Sequence, residues 1–109
     1  MFVLEVNDGE LIAAIEEQAA EHGIENAAIV SLIGGVDSFV VSTMPSDAPS
    51  KDLISSYAMP GEMHGAGEIR NGKAHVHVTM GVQGDRGVAG HLHSAEVGHW
   101  FARAYVIPC

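Results

Sequence analysis

At 109 residues the chain is long enough for one hydrophobic core and too short for a second domain of ordinary size, so a single domain over residues 1–109 is expected. Fourteen acidic against five basic residues give a formal charge of −9, and Lys51, Arg70, Lys73, Arg86 and Arg103 are scattered, which disfavours direct nucleic-acid binding because affinity for a duplex comes largely from counterions released by lysine and arginine. The one cysteine, Cys109, excludes an internal disulfide, fits a reducing, cytoplasmic compartment, and reads as a frayed terminal thiol.

Phe2 to Val6 reads as a first strand. Asn7 followed three residues later by Glu10 is a capping-box pattern that starts a helix, along which Leu11, Ile12, Ile15 and Ala19 recur near helical spacing while Glu16, Glu17 and Glu21 line the wet side. Gly23 supplies a left-handed C-cap, and His22 in the last turn suits the helix dipole. Ala27 to Ile33 reads as a buried strand, and Gly34-Gly35 is expected to bend the chain into another, Val36 to Ser42. The apolar stretch Ala27 to Val36 is the longest in the chain and is broken by Ser31 and the two glycines. No membrane-spanning or targeting segment is expected.

Thr43 to Ser56 holds Pro45, Pro49, four serines, Asp47 and Asp52, the chemistry of a loop that could flank a site. Glu62 to Arg70 reads as a glycine-weakened strand ending at the turn signal Asn71-Gly72. Two alternating segments follow, Ala74 to Met80 and Gly87 to His93, separated by a turn at Gly84-Asp85. The run His99 to Ile107 reads as a closing strand, with Trp100 and Phe101 filling core or a subunit contact.

The two alternating segments carry the chemistry. In an extended strand alternate side chains share a face, so His75 and His77 lie together, as do His91 and His93, opposite to Val76, Val78, Met80 and Leu92. If the segments pair as an antiparallel hairpin, matching their apolar faces requires odd residues opposite odd residues, which gathers all four imidazoles on one surface; one such register sets His77 opposite His91 and His75 opposite His93. Opposed Cβ atoms lie roughly 4.5–5.5 Å apart, close enough for imidazoles to converge on one divalent ion at about 2.0–2.1 Å. A polar strand face open to water, or one meeting a symmetry axis, is the alternative. Glu62 and His64, on the preceding strand, come close to this surface and are candidate proton-transfer groups, the plainer reading being a hydrogen-bonded structural histidine.

The order of strand, capped helix, Gly-Gly after a buried strand, Glu62-Met63-His64-Gly65, His75-Val76-His77 and Ala89-Gly90-His91-Leu92 resembles the plant-and-prokaryote-conserved (PPC) domain over essentially the whole chain. The resemblance implies an α+β fold, a mainly antiparallel sheet with one main helix packed on it, assembled as a homotrimer. It further implies a metal ion held by His75, His77 and His91. His93 shares their face at a position with no fixed histidine in the family, and reads as a supporting partner of the ligands or a surface residue. Plant members join the domain to basic AT-hook segments that bind DNA; this chain has no such segment. It also places Ala89 where the family commonly has a first glycine.

Three neutral imidazoles leave a divalent ion at least one open position, which can bind water or polarise a carbonyl, whereas structural zinc sites are closed and thiolate-rich. Zinc is the default metal, with nickel, iron and copper also compatible with imidazole. No Gly-x-Ser-x-Gly elbow, phosphate loop or dinucleotide-binding motif is present. Together with what the resemblance implies, the sequence points to a trimeric metal protein that binds a small anionic or carbonyl ligand, with any reaction left open. The two other readings are a DNA-associated regulatory or architectural protein, and a structural interaction trimer whose histidines respond to pH.

Overall fold

In the computed structural model, which describes residues 1–109, the chain forms nine strands and one helix. The strands are β1 (Phe2–Val6), β2 (Gly9–Glu10), β3 (Ala27–Val36), β4 (Ser38–Thr43), β5 (Leu53–Tyr57), β6 (Gly61–Arg70), β7 (Lys73–Val82), β8 (Arg86–Val97) and β9 (Ala102–Pro108), with α1 (Leu11–Glu21) between β2 and β3. They form one sheet in the order β1-β9-β3-β6-β7-β8-β4-β5, all pairs antiparallel, and β2 joins the far end of β8. A mainly antiparallel sheet with one helix on it is the α+β arrangement expected from the sequence.

The period-two pattern decides which face is covered. Along β7, Val76, Val78, Met80 and Val82 are buried while His75, His77 and Thr79 are exposed. The helix lays Leu11, Ile15 and Ala19 on the apolar face, each without accessible surface, and burial of a leucine or isoleucine contributes about 1.5–3 kcal/mol. A Glu16 carboxylate oxygen accepts from the Ala74 N–H at 2.9 Å and ties the helix to the start of β7. The face away from the helix is left free for polar chemistry.

The helix starts later than the capping box predicts. Gly9 has φ +100° and Glu10 is extended, because both pair with Val97 and Glu96 of β8. Glu10 itself is the N-cap: its carboxylate accepts from the N–H groups of Ile12 and Ala13, both at 2.9 Å, and from Ala95 at 3.0 Å. At the other end the expected left-handed glycine is found at Gly23, φ +69°, after His22, whose ring sits 4.9 Å from that of Phe2.

Further expectations are corrected. Gly34-Gly35 does not bend the chain: β3 runs through both, and the break falls at Asp37, whose N–H donates to the Glu96 carbonyl. Gly34 is needed for close approach instead, since a Cβ there would lie 2.1 Å from the Phe101 carbonyl oxygen. Nor is β3 buried throughout. An extra residue, Val30, bulges out between Ile29 and Ser31, so Ile29 and Leu32 are both buried while Val30 and Ile33 are half exposed.

Five of the fourteen residues of the expected 43–56 loop, Thr43 and Leu53 to Ser56, lie in strands. Leu53 to Tyr57 pairs along β4 from Thr43↔Leu53 to Phe39↔Tyr57, and the last pair stacks its rings at 4.9 Å. Only residues 44–52 lie outside strands. The closing strand begins at Ala102 rather than His99. Trp100 is 67% exposed and so is not core, and Phe101 lies beneath the Arg103 guanidinium at 4.1 Å. The two hairpin turns fall where expected, with Asn71 and Gly72 at φ 52° and 79°, and Gly84 and Asp85 at 89° and 57°.

Candidate metal centre

The histidines sit at the open end of the β7–β8 hairpin, on the face away from α1. The register runs Val82↔Arg86, Met80↔Val88, Val78↔Gly90 and His77↔His91, so His77 faces His91, one of the pairings that parity allows. The ladder stops there, and the expected opposition of His75 to His93 is not formed. The reason lies in β8, which pairs Leu92 with Val41 but Ser94 with Val40, leaving His93 as a bulged extra residue. His93 still faces outward, its ring 4.8 Å from that of His91.

Gly90 explains how the third histidine is brought in. A Cβ at this position would stand 2.5 Å from the Ser42 carbonyl oxygen, so only glycine allows β4 to close on β8 beside His91. Ala89 has no left-handed backbone, and its methyl group is accommodated.

One nitrogen from each of His75, His77 and His91 lies within 4.8 Å of the others. Their ring centroids are 5.1, 4.8 and 5.9 Å apart and no two rings stack flat. A tetrahedral ion at 2.0–2.1 Å from each nitrogen sets the nitrogens roughly 3.4 Å apart, a contraction within reach of small rotations of solvent-facing rings. The donor set fits a divalent borderline-soft ion: three nitrogens, no thiolate, and an open side. Burial, followed by the neighbouring His75, His93 and His77, pushes His91 below its ordinary 6.5, with Asp52 acting in the opposite sense. His91 is thus held in the neutral form that ligation requires.

These rings line an open pocket of about 310 Å³, completed by Ser42, Thr43, Met44, Pro49 and Asp52 from β4 and the loop after it. Ser42 is the one buried polar residue, and its hydroxyl lies 2.8 Å from His93 Nε2. That bond engages the fourth imidazole outside the three-nitrogen cluster. Glu62 and His64 lie on the same face, opposite Gly81 and Thr79, but line neither this pocket nor its neighbour beside His75 and His77. The carboxylate opposite His75 is instead Glu68. His22 and His99 are elsewhere, His99 on the Asp37 carboxylate at 3.0 Å. Ser42, Asp52 and Glu68 were not singled out by sequence reasoning. Only their partners across the sheet or pocket reveal them.

A family model for the Plants and Prokaryotes Conserved domain matches residues 1–107. The chain belongs to this family. The PPC domain described here is similar to a metal-containing protein from Archaeoglobus fulgidus, at 30% identity and a TM-score of 0.80 over 98% of this chain and 77% of that one. It is also similar in fold to a PPC protein from Pyrococcus horikoshii, 19% identical with a TM-score of 0.80 over 99% and 79% of the two chains. A candidate DNA-binding protein from Ralstonia eutropha is 21% identical with a TM-score of 0.79, covering 99% of this chain and 76% of its own. No curated protein matches the chain. No helix is long and apolar enough to cross a membrane.

Proposed function

We propose that this PPC domain is a homotrimeric metal protein in which His75, His77 and His91 hold one divalent ion, zinc by default with nickel or iron as alternatives, and present its open side to a small ligand. The observation that carries the reading is the convergence of three imidazole nitrogens within 4.8 Å on a pocket wall. When bound, such an ion polarises a carbonyl oxygen or acidifies water. The chain's own residues supply the rest: β7 and β8 fix the ligands, Ser42 orients His93, and the 44–52 loop walls the pocket. Likeness to a metal-containing protein at 30% identity supports the ion. Ile33 and Trp100, exposed side by side on one pocket, and Leu53 and Ile54, exposed on the edge strand β5, leave apolar side chains available for assembly. The −9 charge weighs against the DNA-binding alternative.

Elemental analysis of protein purified without a histidine tag, alongside native mass spectrometry, tests the reading. About one ion per chain in a trimer, lost in His77→Ala while the trimer persists, is expected. A metal-free protein that takes up no zinc, nickel or iron refutes it.

A further inference from the structure

We propose that the face away from α1 carries a second binding site, an aromatic-walled pocket around Trp100 that takes a small, free organic ammonium compound against the Glu62 carboxylate. The site stands apart from the three histidines: Glu62 pairs with Gly81, four residues along β7 from His77 and so roughly 13 Å from it. The pocket measures about 610 Å³, within the range of small-molecule sites. Trp100, Phe101, Ile33 and Met59 give it apolar walls, and Glu62 is its single charged residue.

The sheet sets indole and carboxylate side by side. Gly35, Glu62, Gly81 and Gly87 form one row across β3, β6, β7 and β8, each directly opposite the next and therefore on one face. Glu62 is the only side chain in that row, so neither neighbouring strand fills the space beside it. Trp100 closes one flank. A Cβ added to Gly35 would stand 3.1 Å from Trp100 Cδ1, which puts the indole on Gly35, one strand spacing from Glu62 and on the same face. The indole is also pinned there, although it is exposed. His99 before it bonds Asp37, and the Phe101 carbonyl after it accepts from the Gly35 N–H at 2.9 Å. A side chain already fixed in place loses little freedom when a ligand covers it.

Charge selects the ligand class. The Glu62 carboxylate belongs to no ion pair and to no side-chain hydrogen bond. No lysine or arginine lines the pocket. Arg103, opposite Ile33 on β9, is committed elsewhere, with its guanidinium over Phe101 and 3.5 Å from the Glu5 carboxylate. An aromatic ring face attracts a cation through its quadrupole, so an alkylammonium group meets both the indole and the carboxylate while its carbon atoms cover apolar wall. The edge strand β5, at the far end of the sheet order, offers Leu53 and Ile54 for assembly with this pocket left open.

Trp100 is the one tryptophan of the chain, so its fluorescence reads the site directly. Chelator-treated protein is titrated with choline and with the uncharged carbon analogue of choline, in which a tert-butyl group replaces trimethylammonium, at ionic strength held constant with sodium chloride. A saturable change in emission with choline is expected, with the analogue bound about tenfold more weakly. Glu62→Gln is expected to weaken choline several-fold, the more so at low salt, and to leave the analogue unchanged. Trp100→Leu, followed through the NMR signal of the choline methyl groups, is expected to lose most of the affinity. Equal affinities for the two probes, no saturable change, or a Glu62→Gln protein that binds choline as the wild type does overturns the proposal. So does a Trp100 shielded from acrylamide in the assembled protein, which gives the pocket to a second copy of the chain. Metal content enters none of these readings, so this site and the three-histidine site fail separately.

Discussion

His77 and His91 face each other across the last pair of the β7–β8 ladder, with ring centroids 5.9 Å apart and planes 85° from parallel. His75 reaches the same place from beyond the ladder, its ring 4.8 Å from that of His91. The three-imidazole cluster therefore depends on one register, and a slip by one residue would put Val76 or Val78 in place of an imidazole.

Replacing His75 or His91 with alanine leaves two imidazoles. Zinc affinity, measured by chelator competition, should fall by more than the roughly 10–100-fold that loss of a supporting partner costs. His75 is exposed and His91 partly so, and thermal unfolding of the metal-free variants should stay close to that of the metal-free parent.

Glu10 joins the helix start to β8 through three backbone N–H groups. Glu10→Ala removes the cap and leaves those donors without their partner, and should lower stability in urea denaturation by about 2 kcal/mol. Glu10→Gln, which keeps an acceptor oxygen, should recover part of that loss.

Gly90→Ala forces a methyl group against the Ser42 carbonyl. Overpacking of this kind should cost about 1–3 kcal/mol and, by pushing β4 off β8 beside His91, should weaken zinc binding as well. Gly81→Ala is the control. A Cβ there meets nothing nearer than 3.7 Å, and its stability should change by less than about 1 kcal/mol.

Acidification should release the metal and weaken the fold together. The folded-state value of His91 lies below 6.5, so the unfolded chain binds the extra proton first as pH falls. The metal-free protein should lose stability from about pH 6.5 downward until His91 is protonated in the folded state as well. Protons also compete with the ion for all three imidazoles, so zinc retention should fall over the same range. Urea midpoints and zinc content measured in parallel between pH 7.5 and about 5 check both. A flat profile for each would contradict the description of the site.

Parity made most of the site legible. His75, His77, Val76 and Val78 alternate without interruption, so the sequence of β7 alone dictates which face is polar, and Asn71-Gly72 and Gly84-Asp85 mark the turns that bring its neighbours alongside. What escaped notice depends on contacts distant in the chain. The helix start moved because β2 pairs with β8 more than 80 residues later, a constraint that no local capping pattern contains. Ser55 and Ser56 gave β5 the composition of a loop, although an edge strand needs only one partner and here finds it in β4. Asp52 looked like one more loop aspartate, since its relation to His91 exists only after β4 and β5 have paired.

Because Leu92 pairs with Val41 and Ser94 with Val40, deleting His93 would leave an unbroken strand that still turns Leu92, Ala95 and Val97 inward. The core has no use for this residue. The sheet is one amino acid longer here than its packing demands, and the surplus position is a histidine anchored by the only polar side chain the protein buries.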